Sequence, residues 1–307
     1  MSLSDLVGKY KPLIDSEIAA ELGRRLAEAK DISPELVKVV NAMQELSNGG
    51  KRMRGLLTIL GYNLAQGKEF AGLDHGEGVI KAAMIMELFH LGLLIQDDVM
   101  DRDILRRGVA TVHARYDDLH TGEAMAICAG DLTFGWGMEM LAMLKLPITN
   151  LQIRNAMAVW GRYFSRVGYG QMLDVLKVAD EESLMQILAL KSGEYSCVLP
   201  LEFGATLGGA KPELTKQLTE YGMELGWVFQ LRDDYLAEWG ESTKTGKPVG
   251  NDAREGKHSF VLIYGKKKLE TEIVRHTEKA KASLQGKTLK DAKVLEEIVD
   301  WVATREN

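Results

Sequence analysis

Cysteine, proline and aromatic residues are all scarce in this chain: two Cys, six Pro and 7% Phe, Trp and Tyr in 307 residues. Two cysteines cannot staple a secreted scaffold. Both Cys128 and Cys197 sit in apolar stretches, so they are expected as small core residues in a reducing compartment, without a disulfide. With so few prolines, long helices can run unbroken. Positive charge is also short, 38 Lys and Arg against 44 Asp and Glu, for a formal net charge of -6. That balance argues against nucleic acid held by a general basic field. The N-terminus lacks a cationic start followed by an apolar block, and the most apolar stretch, near residues 82–96, contains Glu87 and His90. A cytoplasmic protein with no transmembrane segment is expected.

What the sequence does contain favours helix. Hydrophobic residues make up 46%, Ala, Leu, Met, Glu and Lys dominate, and strand-like alternation is almost absent. No composition shift, linker or repeat divides the chain, so residues 1–307 read as one all-α domain. In DISPELVKVV, Ser33 can cap a helix whose first position suits Pro34, and Gly49 and Gly50 should end it. Further helices are expected near 51–66, 75–104, 121–145, 149–177, 181–208, 212–240, 258–283 and 288–305. Two basic stretches break the pattern. RDILRRGVATVH is interrupted at Gly108, and residues 241–257, ESTKTGKPVGNDAREGK, read as a loop that closes over a phosphate-bearing ligand.

Two aspartate clusters carry the chemistry. Asp97, Asp98 and Asp101 lie in LLIQDDVMD, and Asp233 and Asp234 in WVFQLRDDYLAEWG, each ending a long apolar run of helical period. Asp97 and Asp101 are four apart and share a helix face, a spacing that calls for a divalent cation. Carboxylates at a helix C-terminus oppose its dipole, so an ordinary solvated end explains the first cluster poorly. The donors are all oxygen, which favours Mg2+. Basic residues accompany them: Lys51, Arg52 and Arg54 in NGGKRMRG, then Arg106, Arg107, Lys191, Lys247 and Lys257. Glycines beside several of these allow close backbone approach, and arginine can grip phosphate through two parallel hydrogen bonds. Taken alone, His90 reads as a satisfied core histidine.

From GGKRMR through DDVMD, RRG, GQMLD, KSGEY and FQLRDDYLAE to GKPVGNDAREGK, the motifs stand in the order of the trans-isoprenyl diphosphate synthases, or polyprenyl synthetases, which the sequence resembles over about two thirds of its length. The resemblance implies a helical bundle around a deep central apolar cavity, usually homodimeric. It implies a reaction that adds isopentenyl diphosphate to an allylic diphosphate and releases pyrophosphate. By position, Asp97, Asp101 and Asp233 would hold three Mg2+ ions, with Asp98 and Asp234 as supporting acids. Arg106, Lys191 and Lys247 would contact the allylic diphosphate. Lys51, Arg54, His90 and Arg107 would bind that of isopentenyl diphosphate, which reverses the reading of the histidine. Gln171, Ser192 and Gln230 would line the reacting centre with Asp174 close behind, and Lys257 would help close the loop.

The sequence departs from the family pattern at Ala237, where a third aspartate is usual, with Glu238 next to it. It departs also at Ser192 for a threonine, Gln96 for a histidine and Gly55 for a proline. Product length should follow what lies below the first aspartates. At about 1.5 Å per residue, Leu93 and Gly92 lie roughly 6 to 7.5 Å below Asp97 and Phe89 about 12 Å. Gly92 is expected to leave the upper shaft open and Phe89 to floor it, for a product of about twenty to twenty-five carbons. Two other functions share some of these features. A class I terpene cyclase would not need the second diphosphate site, and a non-catalytic subunit of a heteromeric synthase would be expected to have lost aspartates, as only Ala237 hints.

Overall fold

The computed structural model describes residues 2–67, 77–178, 180–240, 260–286, 289 and 292–306. The 241–257 loop, with Lys247 and Lys257, lies outside the described residues. The fold is all-α, as expected. The chain forms two compact units, the first comprising Leu6–Ile59 and Asp74–Pro147, the second Met1–Asp5, Leu60–Leu73 and Ile148–Asn307.

The first unit holds most of α1 (Leu3–Ile32), then α2 (Val37–Ser47), the start of α3 (Met53–Ala65), α4 (Glu77–Asp101) and α5 (Leu119–Ala142). The sequence reading places no helix at α1, which carries Pro12 in its interior. An interior proline costs about 3 kcal/mol. Against this, Leu6, Tyr10, Ile14, Ile18 and Leu22 recur every fourth residue and are all buried. Burial of each such side chain is worth roughly 1.5 to 3 kcal/mol, so the stripe wins. Ser33 caps as expected, but a 3-10 turn, Pro34–Leu36, precedes α2.

Helix α4 is apolar on every side and forms the centre of this unit. It is long and apolar enough to cross a membrane by length and composition, with a mean hydropathy of 1.8, yet 78% of its most apolar stretch is buried inside the protein. Its C-terminus is a Schellman motif. Arg102 takes φ 59°, its N–H meets the Val99 carbonyl at 3.3 Å, and the Asp103 N–H meets that of Asp98 at 2.9 Å. The reversed chain becomes a hairpin in which β1 (Leu105–Arg106) pairs antiparallel with β2 (Val109–Ala110). Its two-residue turn has Arg107 at φ 53° and Gly108 at φ 78°, the mirror-image geometry that suits strand twist.

The second unit contains α6 (Asn150–Val175), α7 (Glu181–Leu188), a π-helical segment (Ala189–Val198), α8 (Leu199–Leu207), α9 (Pro212–Trp239), α10 (Phe260–Ser283) and α11 (Lys293–Thr304). The single helix expected over 181–208 is therefore three pieces. A π stretch is rare and widens the helix, and this one carries the KSGEY motif. Helix α9 crosses it at Gly226, where an added Cβ would lie 2.3 Å from Gly193 Cα. One cysteine differs from expectation: Cys197 is buried, but Cys128 is exposed because it lies on the outer side of α5.

Candidate active site

The first unit sets acid against base around the end of α4. Successive helical residues turn by about 100°, so adjacent aspartates cannot share an environment. Asp98 points inward and is fully buried, whereas the Asp97 side chain is 27% exposed and Asp101 is exposed. The hairpin returns Arg106 to this end, its Nε donating to Asp98 Oδ1 at 2.5 Å and its Nη2 lying 3.6 Å from Asp97 Oδ2. Burial pushes the Asp98 carboxyl up to about 6 against the opposing pull of Arg106. Its folded pKa is raised, so the protonated form is the one the fold favours. That contribution is complete below the unfolded carboxylate value and is lost as pH rises through about 6. Asp98 Oδ2 is buried with no hydrogen-bond partner among the described residues.

Beside it lies a concentrated positive field. Arg107 donates Nη1 to the Asn48 carbonyl at 3.4 Å, and both Arg107 and Arg52 approach Gly50, whose missing side chain makes the room. Burial, then Arg106, Arg52 and Arg54, lower the Arg107 pKa. Burial first, and then Arg54, Arg107, Arg106 and Arg52, hold His90 well below the usual histidine value. Lys51 is exposed and Arg54 half-buried on the same loop and helix start. Like charges forced together in this way favour an anion among them. In NMR titrations the His90 ring of the free protein should stay neutral well below pH 6.5, and added inorganic pyrophosphate should raise its pKa. A ring that titrates near 6.5 with and without pyrophosphate would remove His90 from the anion site.

In the second unit the helices are close enough for a continuous network. Ser192 Oγ donates to Gln230 Oε1 at 2.7 Å, and Gln230 Nε2 donates to Asp234 Oδ1 at 2.8 Å. The Phe260 N–H completes it at Asp234 Oδ2, 2.9 Å away, so Asp234 is buried and fixed from two helices. Asp233 stays part-exposed and pairs with Arg305, which also stacks on Phe229 with its guanidinium 4.3 Å from the ring centre. Lys191 Nζ meets Asp174 Oδ2 at 2.5 Å. Gln171 is half-buried, and its Nε2 has no hydrogen-bond partner among the described residues. Each unit thus has one buried aspartate held by the fold, Asp98 or Asp234, and a more open neighbour, Asp97 or Asp233.

Gly92 requires a correction. A Cβ there would lie 1.9 Å from Thr133 Oγ1 and 3.0 Å from the Gly130 carbonyl, so the glycine serves the close crossing of α4 and α5 and does not open a shaft. Leu93 is half-buried, and Phe89 is buried edge-on against Phe134 with ring centres 5.5 Å apart. The departure at Gly55 also has a cause: its N–H donates to Glu87 Oε1 at 2.8 Å, which a proline could not do. Sequence reasoning gave no role to Asp15, Glu87, Phe134 or Arg305. Only the i+3 spacing of Glu87 and His90 was a usable signal; the others meet their partners across long stretches of chain.

An all-helical fold whose core helices end in paired aspartates, with a basic loop beside one of them, defines the isoprenoid-synthase class. The family model for polyprenyl synthetase matches residues 37–302. A short chain isoprenyl diphosphate synthase of Methanocaldococcus jannaschii is 33% identical over 265 residues, covering 85% of this chain and 75% of the relative. A geranylfarnesyl diphosphate synthase of Aeropyrum pernix is 35% identical over 72% of this chain and 67% of its own length. Among solved structures, geranylgeranyl pyrophosphate synthase from Corynebacterium glutamicum, complexed with isoprenyl diphosphate and magnesium, superposes with a TM-score of 0.86 at 26% identity, covering 97% of this chain and 99% of that one. The chain belongs to the polyprenyl synthetase family, and its activity is that of a trans-prenyltransferase.

Proposed function

We propose that the protein condenses isopentenyl diphosphate with an allylic diphosphate to give a trans-prenyl diphosphate of about C20 to C25, and that residues 1–307 act as one catalytic domain. The observation that carries this reading is the pairing, in the first unit, of part-exposed Asp97 and exposed Asp101 with a separate arginine-rich anion site. The donor set fits magnesium: the carboxylates are oxygen ligands, two of them on one helix face and open to solvent. Asp97, Asp101 and Asp233 would hold three ions. Magnesium, when bound, neutralises the pyrophosphate that leaves.

The allylic carbon–oxygen bond breaks, its electron pair going to the departing pyrophosphate, and an allylic cation remains. The double bond of isopentenyl diphosphate supplies the electrons for the new carbon–carbon bond, and loss of a proton, taken by the pyrophosphate, restores neutrality at carbon. No protein nucleophile is needed. Arg106, Lys191 and Lys247 are assigned to the allylic diphosphate, and Lys51, Arg54, His90 and Arg107 to that of isopentenyl diphosphate. Gln171, Ser192 and Gln230 line the reacting centre, with Asp174 holding Lys191. The 241–257 loop, with Lys257, excludes water that would quench the cation.

Incubation with Mg2+, isopentenyl diphosphate and dimethylallyl, geranyl or farnesyl diphosphate, followed by sizing of the products, tests this directly; no elongation from any primer would overturn it. Phe89 and Phe134 are assigned as the wall that stops growth. Phe89→Ala should lengthen the main product by at least one five-carbon unit, and an unchanged product distribution would remove that assignment. A homodimer is proposed through α5, along which Leu119, Ile127, Leu132 and Met138 are exposed apolar residues. A cytoplasmic setting accords with the buried state of α4.

A further inference from the structure

Of the GGKRMR side chains, Lys51 is exposed, Met53 and Arg54 are half-buried, and Arg52 is buried. Arg52 is 7% exposed and adopts φ 56°, a left-handed conformation that is strained for any residue but glycine. Something must hold it there. Its Nε donates to Asp15 Oδ1 at 2.6 Å, its Nη2 to the Ser47 carbonyl at 2.5 Å, and its Nη1 lies 3.7 Å from Glu87 Oε2. Asp15 is itself fixed, accepting from Lys11 Nζ at 2.6 Å on its other oxygen. Glu87 reaches past Arg52 to the Gly55 N–H, so the two carboxylates grip the loop at residue 52 and at residue 55. Arg54 lies between the two held positions, and Lys51 is bonded directly to the first. On α4, Glu87 stands three residues before His90, on the same helix face.

We propose that Asp15, Arg52 and Glu87 are positioning residues that set Lys51 and Arg54, relative to His90, for the diphosphate of isopentenyl diphosphate. The inference rests on the assignment of that diphosphate to this loop. Asp15 lies on α1, before residue 37 where the family match begins. The first helix, outside the matched stretch, therefore completes the arrangement. The ion pairs are not decoration on a surface: the Arg52 side chain is buried, and loss of a partner leaves a buried charge short of a hydrogen bond. The strained backbone at Arg52 then has a lower-energy conformation to relax into, and its neighbours move with it.

A cavity of about 630 Å³ borders the pair, lined by Asp15, Ser47, Asn48, Gly49 and Arg52 among others. An altered side chain at Asp15 therefore meets open space on one side, and the variant is expected to fold. Asp15→Asn in the full chain should raise KM for isopentenyl diphosphate about tenfold, the size of one lost charge-assisted hydrogen bond. Its kcat and its KM for the allylic substrate should stay within about twofold, because nothing in the grip touches the aspartates of either cluster. Glu87→Gln, which keeps an acceptor for Gly55 but removes the charge facing Arg52, should shift the same constant in the same direction. It also serves if Asp15→Asn does not fold. A general structural role would alter kcat or both KM values alike, and that result, or no change in either variant, overturns the proposal. Lys51→Ala is the control: if it leaves KM for isopentenyl diphosphate unchanged, the assignment of the loop to that diphosphate fails and the positioning role falls with it. If only Lys51→Ala raises it, the assignment stands and the positioning role alone is lost.

Discussion

Asp97→Ala is expected to lower kcat by about a thousandfold while leaving the helical circular dichroism spectrum unchanged. The size follows from the chemistry, since ionising an allylic diphosphate places the developing negative charge on pyrophosphate. Removing one element of its electrostatic stabilisation costs about 10²- to 10³-fold, and a metal ligand stands at the upper end. The preserved fold follows from geometry. Asp97 is part-exposed, and the neighbouring Asp98 takes the Arg106 hydrogen bond that ties the hairpin to α4. Asp98→Ala should behave differently, because it leaves Arg106 without that buried acceptor and lowers the thermal midpoint as well as kcat. Steady-state kinetics at saturating Mg2+ beside a melting curve separates the two. A loss below tenfold for Asp97→Ala would show that this carboxylate is not a metal ligand.

Gly226→Val should destabilise the protein by about 3 kcal/mol, the upper end of the usual cost of overpacking. The added Cβ would lie 2.3 Å from Gly193 Cα, 2.7 Å from Gly193 N and 2.9 Å from the Ser192 carbonyl, all backbone atoms that cannot rotate away. The two helices have to separate. Their separation lengthens the 2.7 Å hydrogen bond from Ser192 to Gln230, and with it the support of Asp234. A fall in melting temperature of roughly 5 °C is expected, because the unfolding entropy that divides the lost stability grows with chain length. An unchanged melting temperature would mean that α9 and the π segment do not cross as described.

The difference between what was legible and what was not is clearest at particular residues. Helices over 53–65, 77–101 and 212–239 follow from apolar periodicity, and the structure places them within a few positions of expectation. The first helix carries Pro12, whose local penalty is plain in the sequence, whereas the buried stripe that overcomes it requires a partner surface. Gly92 read as an open position because sequence shows a missing side chain and not the Thr133 that fills the space. Residues 181–208 read as a single helix because α and π turns share the same residue preferences. The widened backbone over Ala189–Val198 appears only in the structure, where Gly193 and Gly226 also approach closely.

The sequence by itself determined that the protein is helical, that two aspartate clusters end apolar helices, and that their ligands are oxygens accompanied by arginine, lysine and glycine. These are local properties, set by periodicity, charge and donor type. Which aspartate of each adjacent pair is buried was decided by the tertiary structure. So was the course of Arg52, inward to Asp15 and Glu87, and the pairing of Asp233 with Arg305. Such choices depend on which side of a helix meets the core and on contacts between residues 37 and 72 positions apart, and no short-range pattern records them.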